Sequence, residues 1–318
     1  MTQSSPNSTL PSALFGLAAF SLFSLHDVIV KFLGATYTPF QIVFFTALLS
    51  FPLVTLALMN DKKAGTLRPV HPWWMALRSL SGVTSAVCAY YAFSQLPLSQ
   101  AYAILFCAPL LITLLSVPML GETIRLRRGL AILVGLGGVL IVLRPGGSVE
   151  LGLGHLAGLM SAATGALNSI IVRKIGQEER AAVMVLYPMM TNFLLMAFVL
   201  PFVYVPVALP DLGLFAVVAL LVLLAISSLV LAYERGTAMV VAPMQYSQII
   251  WAAIFGALIF QDYPDWQTYL GTGVIAASSL YILKRENTGE VSKNSPVSRT
   301  RTRIGLALGL RVGWFMKK

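Results

Sequence analysis

The sequence predicts an all-α integral membrane protein: ten transmembrane helices arranged as two five-helix inverted repeats. Three observations carry this prediction. The 318-residue chain is 57% hydrophobic and only 11% charged, against roughly 25% charged residues in soluble domains. Ten apolar runs come close to the roughly 20 residues that a spanning helix needs. Lysine and arginine fall in alternate loops, which orients the chain and makes its two halves antiparallel.

The elements follow in order. The opening "MTQSSPNSTLP" has no basic segment and the apolar run after it is long, so residues 1–11 read as a cytoplasmic tail before a retained first helix, not as a cleaved signal. The ten spans are Ser12–Leu33, Pro39–Met59, Trp73–Gln95, Leu98–Leu120, Gly129–Leu143, Gly154–Ile175, Val183–Val205, Leu212–Glu234, Ala238–Phe260 and Gln267–Leu283. The connecting stretches "TYTP", "QLPLS", "RPGGS" and "QDYPD" are brief and rich in turn formers. The first repeat is predicted over 12–143 and the second over 154–284, with a basic cytoplasmic tail at 285–318. That tail reads as disordered. Its last stretch, "IGLALGLRVGWFMKK", is too short to span and either rests on the inner leaflet or shares the disorder.

The basic residues decide orientation. Lys62, Lys63 and Arg68 fall in one loop, Arg125, Arg127 and Arg128 in the next but one, then Arg173, Lys174 and Arg180, then Arg235, and nine more follow from Lys284 onward. On the opposite side stand only Lys31 and Arg144, while Arg78 lies just inside the third span. Both termini are therefore expected in the cytoplasm. The glycosylation-type triplet Asn7-Ser8-Thr9 then lies on the wrong side to be used.

Five spans per half is the arithmetic of an inverted repeat, common in secondary transporters. At an offset of 140, Leu114–Leu143 aligns with Ile254–Leu283: Leu130, Leu140 and Leu143 meet Leu270, Leu280 and Leu283, and Glu122 meets Asp262. Gly154, Gly158, Ala162 and Ala166 in the sixth span, and Ser79, Gly82, Ala86 and Ala89 in the third, are stripes for close helix packing. A net charge of +10 does not indicate a nucleic-acid binder, because the basic residues are dispersed between spans. Cys88 and Cys107 lack metal-ligand or framework spacing and read as buried thiols. No metal or cofactor pattern is present, and there is no HExxH, GxSxG or P-loop to support the rival reading of an intramembrane enzyme.

"LPLSQAYAILFCAPLLITLLSVPMLGE", followed by "RGLAILVGLGGVLIVLRPG", resembles the drug/metabolite transporter superfamily, EamA type. The resemblance covers Leu14–Lys284, with "LGE" at Leu120–Glu122 its most characteristic piece; the second half departs from it with "FQD" at Phe260–Asp262. It implies ten spans, internal termini, a bacterial inner-membrane setting and alternating-access transport of a small organic metabolite. An amino-acid-like solute, exported, is the leading reading, and uptake of a vitamin or nucleoside-derived cofactor is the alternative.

Polar residues at membrane depth are the candidate site. In "MQYSQIIW", Gln245, Gln248 and Trp251 recur every three residues and are expected on one helical face, suited to a planar or amphipathic solute. Thr164 and Asn168 in the sixth span, Tyr90 and Tyr91 in the third and Gln100 and Tyr102 in the fourth are further candidates for a cavity between the repeats. Pro109 and Pro243 are positioned to bend their helices at that cavity. Arg78 either snorkels to headgroups or anchors a carboxylate or phosphate of the solute. In "SLFSLHDVIVKFLG", His26, Asp27 and Lys31 admit two readings. Asp27 and Lys31, four residues apart, form an ion pair at the helix end, or His26 and Asp27 serve as an outer gate or proton-coupling site.

Overall fold

The computed structural model describes residues 9–59, 67–121, 126–144, 151–176, 178–235 and 238–287. The helices are α1 (Thr9–Leu33), α2 (Pro39–Met59), α3 (Pro72–Gln95), α4 (Leu98–Leu105), α5 (Ala108–Leu120), α6 (Leu126–Leu143), α7 (Leu153–Ile175), α8 (Ala181–Val203), α9 (Leu209–Arg235), α10 (Ala238–Val241), α11 (Ser247–Phe255) and α12 (Trp266–Asn287). No strand occurs among the described residues. Helix throughout is what the bilayer demands, since only internal hydrogen bonds can satisfy the backbone there. α4 with α5 forms one span and α10 with α11 another, giving ten.

Two spans are broken, and at equivalent places. α4 ends at Leu105 and α5 begins at Ala108, with Pro109 in its first turn. Between α10 and α11 runs a 3₁₀ turn, Ala242–Tyr246, with Pro243 at its start. A proline at such a position lacks the N–H that would close the preceding helical turn. Phe106 and Tyr246, one at each break, are related by the 140-residue repeat offset, and their rings meet at 5.3 Å. The bends expected at Pro109 and Pro243 are thus full interruptions that face each other.

The repeats are interlocked. α1 lies along α9 and α3 along α7, so the first helix of each repeat packs on the third helix of the other. α2 meets α8, and α6 meets α12. The last pair is held by glycines: a Cβ added at Gly138 would stand 2.8 Å from the Gly271 carbonyl oxygen, and one at Gly271 would stand 2.6 Å from that of Gly138. The backbones touch, which maximises dispersion contact where no hydrophobic effect operates between helices.

Connectivity places the ends of α1, α3, α6 and α8 on one face of the bundle, here the Leu33 face, and the start of α3 and the end of α7 on the other, the Pro72 face. Polar contacts join the repeats on both. On the Leu33 face Lys31 Nζ is 3.1 Å from Asp262, the Tyr37 hydroxyl donates to Asp211 at 2.6 Å, Gln41 Nε2 donates to the Val205 carbonyl at 2.7 Å, and Arg144 pairs with Asp265. The bond to Asp211 pushes the Tyr37 hydroxyl above the usual tyrosine pKa. Burial is the largest single influence on the Asp265 carboxyl and raises it, but the bonds from Arg144 and Thr268 together outweigh it and hold the group below the usual carboxylate range. On the Pro72 face the His71 backbone N–H donates to Glu179 at 2.7 Å, and Lys174 Nζ donates to the Met119 carbonyl at 3.1 Å.

Several sequence features lie outside the described residues: Asn7, Lys62, Lys63, Glu122 with its proposed echo of Asp262, Arg125, and the tail beyond Asn287.

Candidate functional site

A cavity of about 290 Å³ lies between the two repeats, at the small end of known solute sites. Val43, Ala86, Ile112 and Val222 supply apolar wall, from α2, α3, α5 and α9. The polar lining comes from both repeats. His26, Asp27, Thr46, Arg78 and Tyr90 belong to the first, and Ser161, Asn168, Asn192 and Gln245 to the second. Residues next to both helix breaks, Phe106 and Gln245 among them, reach this wall. Interrupted helices thus bring polar backbone to the cavity, the one place in a membrane where irregular backbone is tolerated.

The most ordered cluster surrounds Asp27, which is 4% exposed. An ionised carboxylate only accepts hydrogen bonds. His26 Nδ1 stands 2.8 Å from Oδ1, and the Tyr102 hydroxyl donates to Oδ2 at 2.6 Å. On the other side of the ring, His26 Nε2 lies 3.1 Å from the Tyr90 hydroxyl, so the imidazole bridges Asp27 and Tyr90. Tyr102 is fixed between Phe93 and Phe106, with ring centroids 5.5 and 5.8 Å away. A carboxylate, an imidazole and two phenols from α1, α3 and α4 therefore form one continuous chain.

The expected Asp27–Lys31 ion pair does not form. Helical spacing permits it, but Asp27 turns toward the cavity, where Tyr102 and His26 satisfy it. Lys31 extends toward the Leu33 face instead, donating to the Leu96 carbonyl at 2.7 Å, pairing with Asp262 and lying 5.0 Å from the Phe260 ring centre. A long stem lets its charge reach the helix end, where a carboxylate of the other repeat waits.

Arg78 does not reach headgroups. It is 1% exposed, lines the cavity and donates Nη1 to the Met184 carbonyl at 2.8 Å. Its guanidinium spans from the first repeat to the second, the most buried cation of the lining.

The other predicted residues divide. Tyr90, Asn168 and Gln245 reach the cavity wall, while Gln248, Trp251, Thr164, Tyr91 and Gln100 do not. The common face expected for Gln245, Gln248 and Trp251 assumed an unbroken helix. The 3₁₀ turn ends between the first two and rotates Gln245 out of phase with the rest. Trp251 stacks on Phe255 at 5.6 Å, and Gln248 is 2% exposed. Thr164 turns its hydroxyl back onto the Met160 carbonyl at 2.7 Å, a local bond that leaves Asn168 to reach the wall alone. Sequence reasoning missed Asn192, Thr46 and Ser161. Asn192, in "MMTNFLL", is an intramembrane amide, and the criterion that selected Gln245 selects it too.

The comparisons with known proteins accord with this architecture. The pseudopaline exporter CntI of Pseudomonas aeruginosa is 28% identical over 277 residues, covering 86% of this chain and 95% of that protein. The S-adenosylmethionine uptake transporter of Rickettsia prowazekii is 27% identical over 300 residues, covering 91% of this chain and 99% of that protein. A crystal structure with 19% sequence identity superposes with a TM-score of 0.55 over 88% of this chain and 99% of that one, and so shares the fold. A family model described as the EamA-like transporter family matches twice in succession, over residues 10–144 and 152–284. Matched along nearly all of both repeats, the chain belongs to the EamA-like transporter family.

Proposed function

We propose that the chain is a secondary carrier that moves a small amino-acid-related metabolite through the central cavity by alternating access, in the direction of export. The observation that carries this reading is the cavity itself. It lies between two interlocked repeats, is lined by polar groups of both, and is bridged by cross-repeat contacts on both faces. Making and breaking those contacts alternately would expose the cavity first to one side and then to the other. An exporter and an uptake carrier both occur among the relatives, and uptake of a nucleoside-derived solute is the second reading. The first repeat is proposed to run over 12–143 and the second over 154–284. The membrane is a bacterial inner membrane with both termini cytoplasmic, which makes the Leu33 face the outer one.

The chain formed by Asp27, His26, Tyr90 and Tyr102 is the proposed proton-coupling element. It is hydrogen-bonded from end to end and joined to the cavity through His26, Asp27 and Tyr90, and ionisable groups at membrane depth are functional by default. The named relatives are transporters, which supports a carrier over an enzyme.

The test is flux in proteoliposomes loaded with a labelled amino-acid pool. Saturable flux that accelerates when unlabelled solute is placed on the opposite side supports a carrier. Linear, non-saturating flux would indicate a channel, and no flux with any solute would remove the reading.

A further inference from the structure

We propose that the cavity binds its solute in one fixed orientation, as an elongated zwitterion with its carboxylate toward Arg78 and its ammonium toward Asp27. This rests on the carrier reading and adds to it a charge pattern and a direction.

The two charges stand at opposite ends of one cavity. Asp27 lies six residues before Leu33, the end of α1, and Arg78 six residues after Pro72, the start of α3. Each is therefore about 9 Å inside its own face at a rise of 1.5 Å per residue. On α3 alone, Arg78 and Tyr90 are 12 residues apart, about 18 Å along the axis. Tyr90 is hydrogen-bonded to His26, which is bonded to Asp27, so Arg78 and the Asp27 cluster lie toward opposite faces of the bundle, and the gap a solute bridges is set by the side-chain ends and not by this backbone figure.

The carboxylate end calls for a cation. Asp27 accepts from a phenol and an imidazole, and Lys31 on the next turn is committed to Asp262 and the Leu96 carbonyl. No Lys or Arg among the described residues pairs with Asp27. A carboxylate accepts about four hydrogen bonds, and two are used here. An ammonium arriving from the cavity occupies the acceptor positions that His26 and Tyr102 leave open and adds a full positive charge beside the carboxylate. A buried charge without a counter-charge is costly.

Between the charged ends, three polar atoms of the lining have no hydrogen-bond partner: Thr46 Oγ1, Asn168 Oδ1 and Asn192 Oδ1, from α2, α7 and α8. Buried polar atoms are nearly always satisfied, so three on one cavity wall mark a place for the polar middle of a ligand. Gly82, one turn from Arg78, faces the Asn168 amide, whose Nδ2 lies 3.8 Å from where a Cβ would stand. That amide and the guanidinium both line the cavity and provide donors for a carboxylate.

The test uses three probes of equal length: 6-aminohexanoate, hexanoate and hexylamine. Binding is measured by titration calorimetry on the purified protein in lipid nanodiscs. The zwitterion is expected to bind at least about tenfold tighter than either singly charged probe. Arg78→Gln should abolish its advantage over hexylamine, and Asp27→Asn its advantage over hexanoate. Equal affinity of the three probes for the wild type, or both variants keeping the full preference, would overturn the proposal. Should either variant fail to fold, the wild type alone decides. A series from 3-aminopropanoate to 8-aminooctanoate should show one optimal length, and a flat series overturns the fixed orientation. Gly82→Trp, which fills the cavity, separates the two ideas. If it leaves wild-type probe binding intact, the cavity is not the site and the carrier reading fails with it. If it removes binding that shows no zwitterion preference, only the orientation fails.

Discussion

Gly271→Ala tests the α6–α12 contact on which the fifth spans of the two repeats depend. The new methyl would stand 2.6 Å from the Gly138 carbonyl oxygen and 2.6 Å from Val142 Cγ2. Ordinary contact begins at 3.4 Å, so the two helices must separate by about 0.8 Å. The first obstacle is backbone and no rotamer change relieves it, which places the cost at the upper end of the 1–3 kcal/mol typical of overpacking. Alanine recovers up to about 1 kcal/mol through its higher helix propensity. A net loss of about 2 kcal/mol follows, a drop of several degrees in the midpoint of thermal unfolding. The assay is thermal unfolding in detergent, followed by intrinsic fluorescence. The controls lie on the same helices: an alanine Cβ at Gly137 or Gly273 meets nothing within 4 Å, so both variants should be neutral or slightly stabilising. A neutral Gly271→Ala, or a Gly137→Ala as damaging as it, would refute the contact.

Four further outcomes are expected. Reporter fusions after Lys284 and within 145–148 should report opposite sides of the membrane, with the first cytoplasmic. Asp27→Asn should flatten the dependence of flux on an imposed pH gradient in proteoliposomes, and a wild-type gradient response would remove Asp27 from coupling. Gln245→Ala should weaken solute binding several-fold in calorimetric titrations while Gln248→Ala and Trp251→Ala leave it unchanged, since only Gln245 reaches the cavity. The Tyr37 hydroxyl is raised by its bond to Asp211, so its contribution to stability is complete below the usual tyrosine pKa and is lost as pH rises through the folded-state value. Thermal unfolding should therefore show an alkaline loss above about pH 10 that Tyr37→Phe removes.

The architecture was legible because the bilayer leaves few options. Apolar length and the alternation of Lys and Arg suffice for ten antiparallel spans, and the two-repeat family match agrees with them. The site was only partly legible. Helical spacing assigns faces only while a helix is continuous, and the 3₁₀ turn at Ala242–Tyr246 separated Gln245 from Gln248 and Trp251. Pro243 marked the break, but its extent depends on how the turn packs against Phe106 across the repeat interface. Lys31 shows the same limit. A partner four residues away is visible in sequence, whereas Asp262, 231 residues later, becomes a neighbour only through the tertiary fold. Arg78 appeared near enough to a helix end to reach water, and only the approach of α8 shows where its guanidinium is held.

The exchange of partners between repeats also has a consequence in time. α1 finds its long neighbour α9 only after the chain has grown from Leu33 to Leu209, a further 176 residues. At roughly 5–20 residues per second, that is about 10–35 s of synthesis. Tyr90 and Tyr102 emerge well before then, and they are the groups that satisfy His26 and Asp27. The order of synthesis thus supplies the partners of His26 and Asp27 before α1 meets α9. A nascent first repeat can shelter its buried carboxylate while its hydrophobic face still waits in lipid for the second.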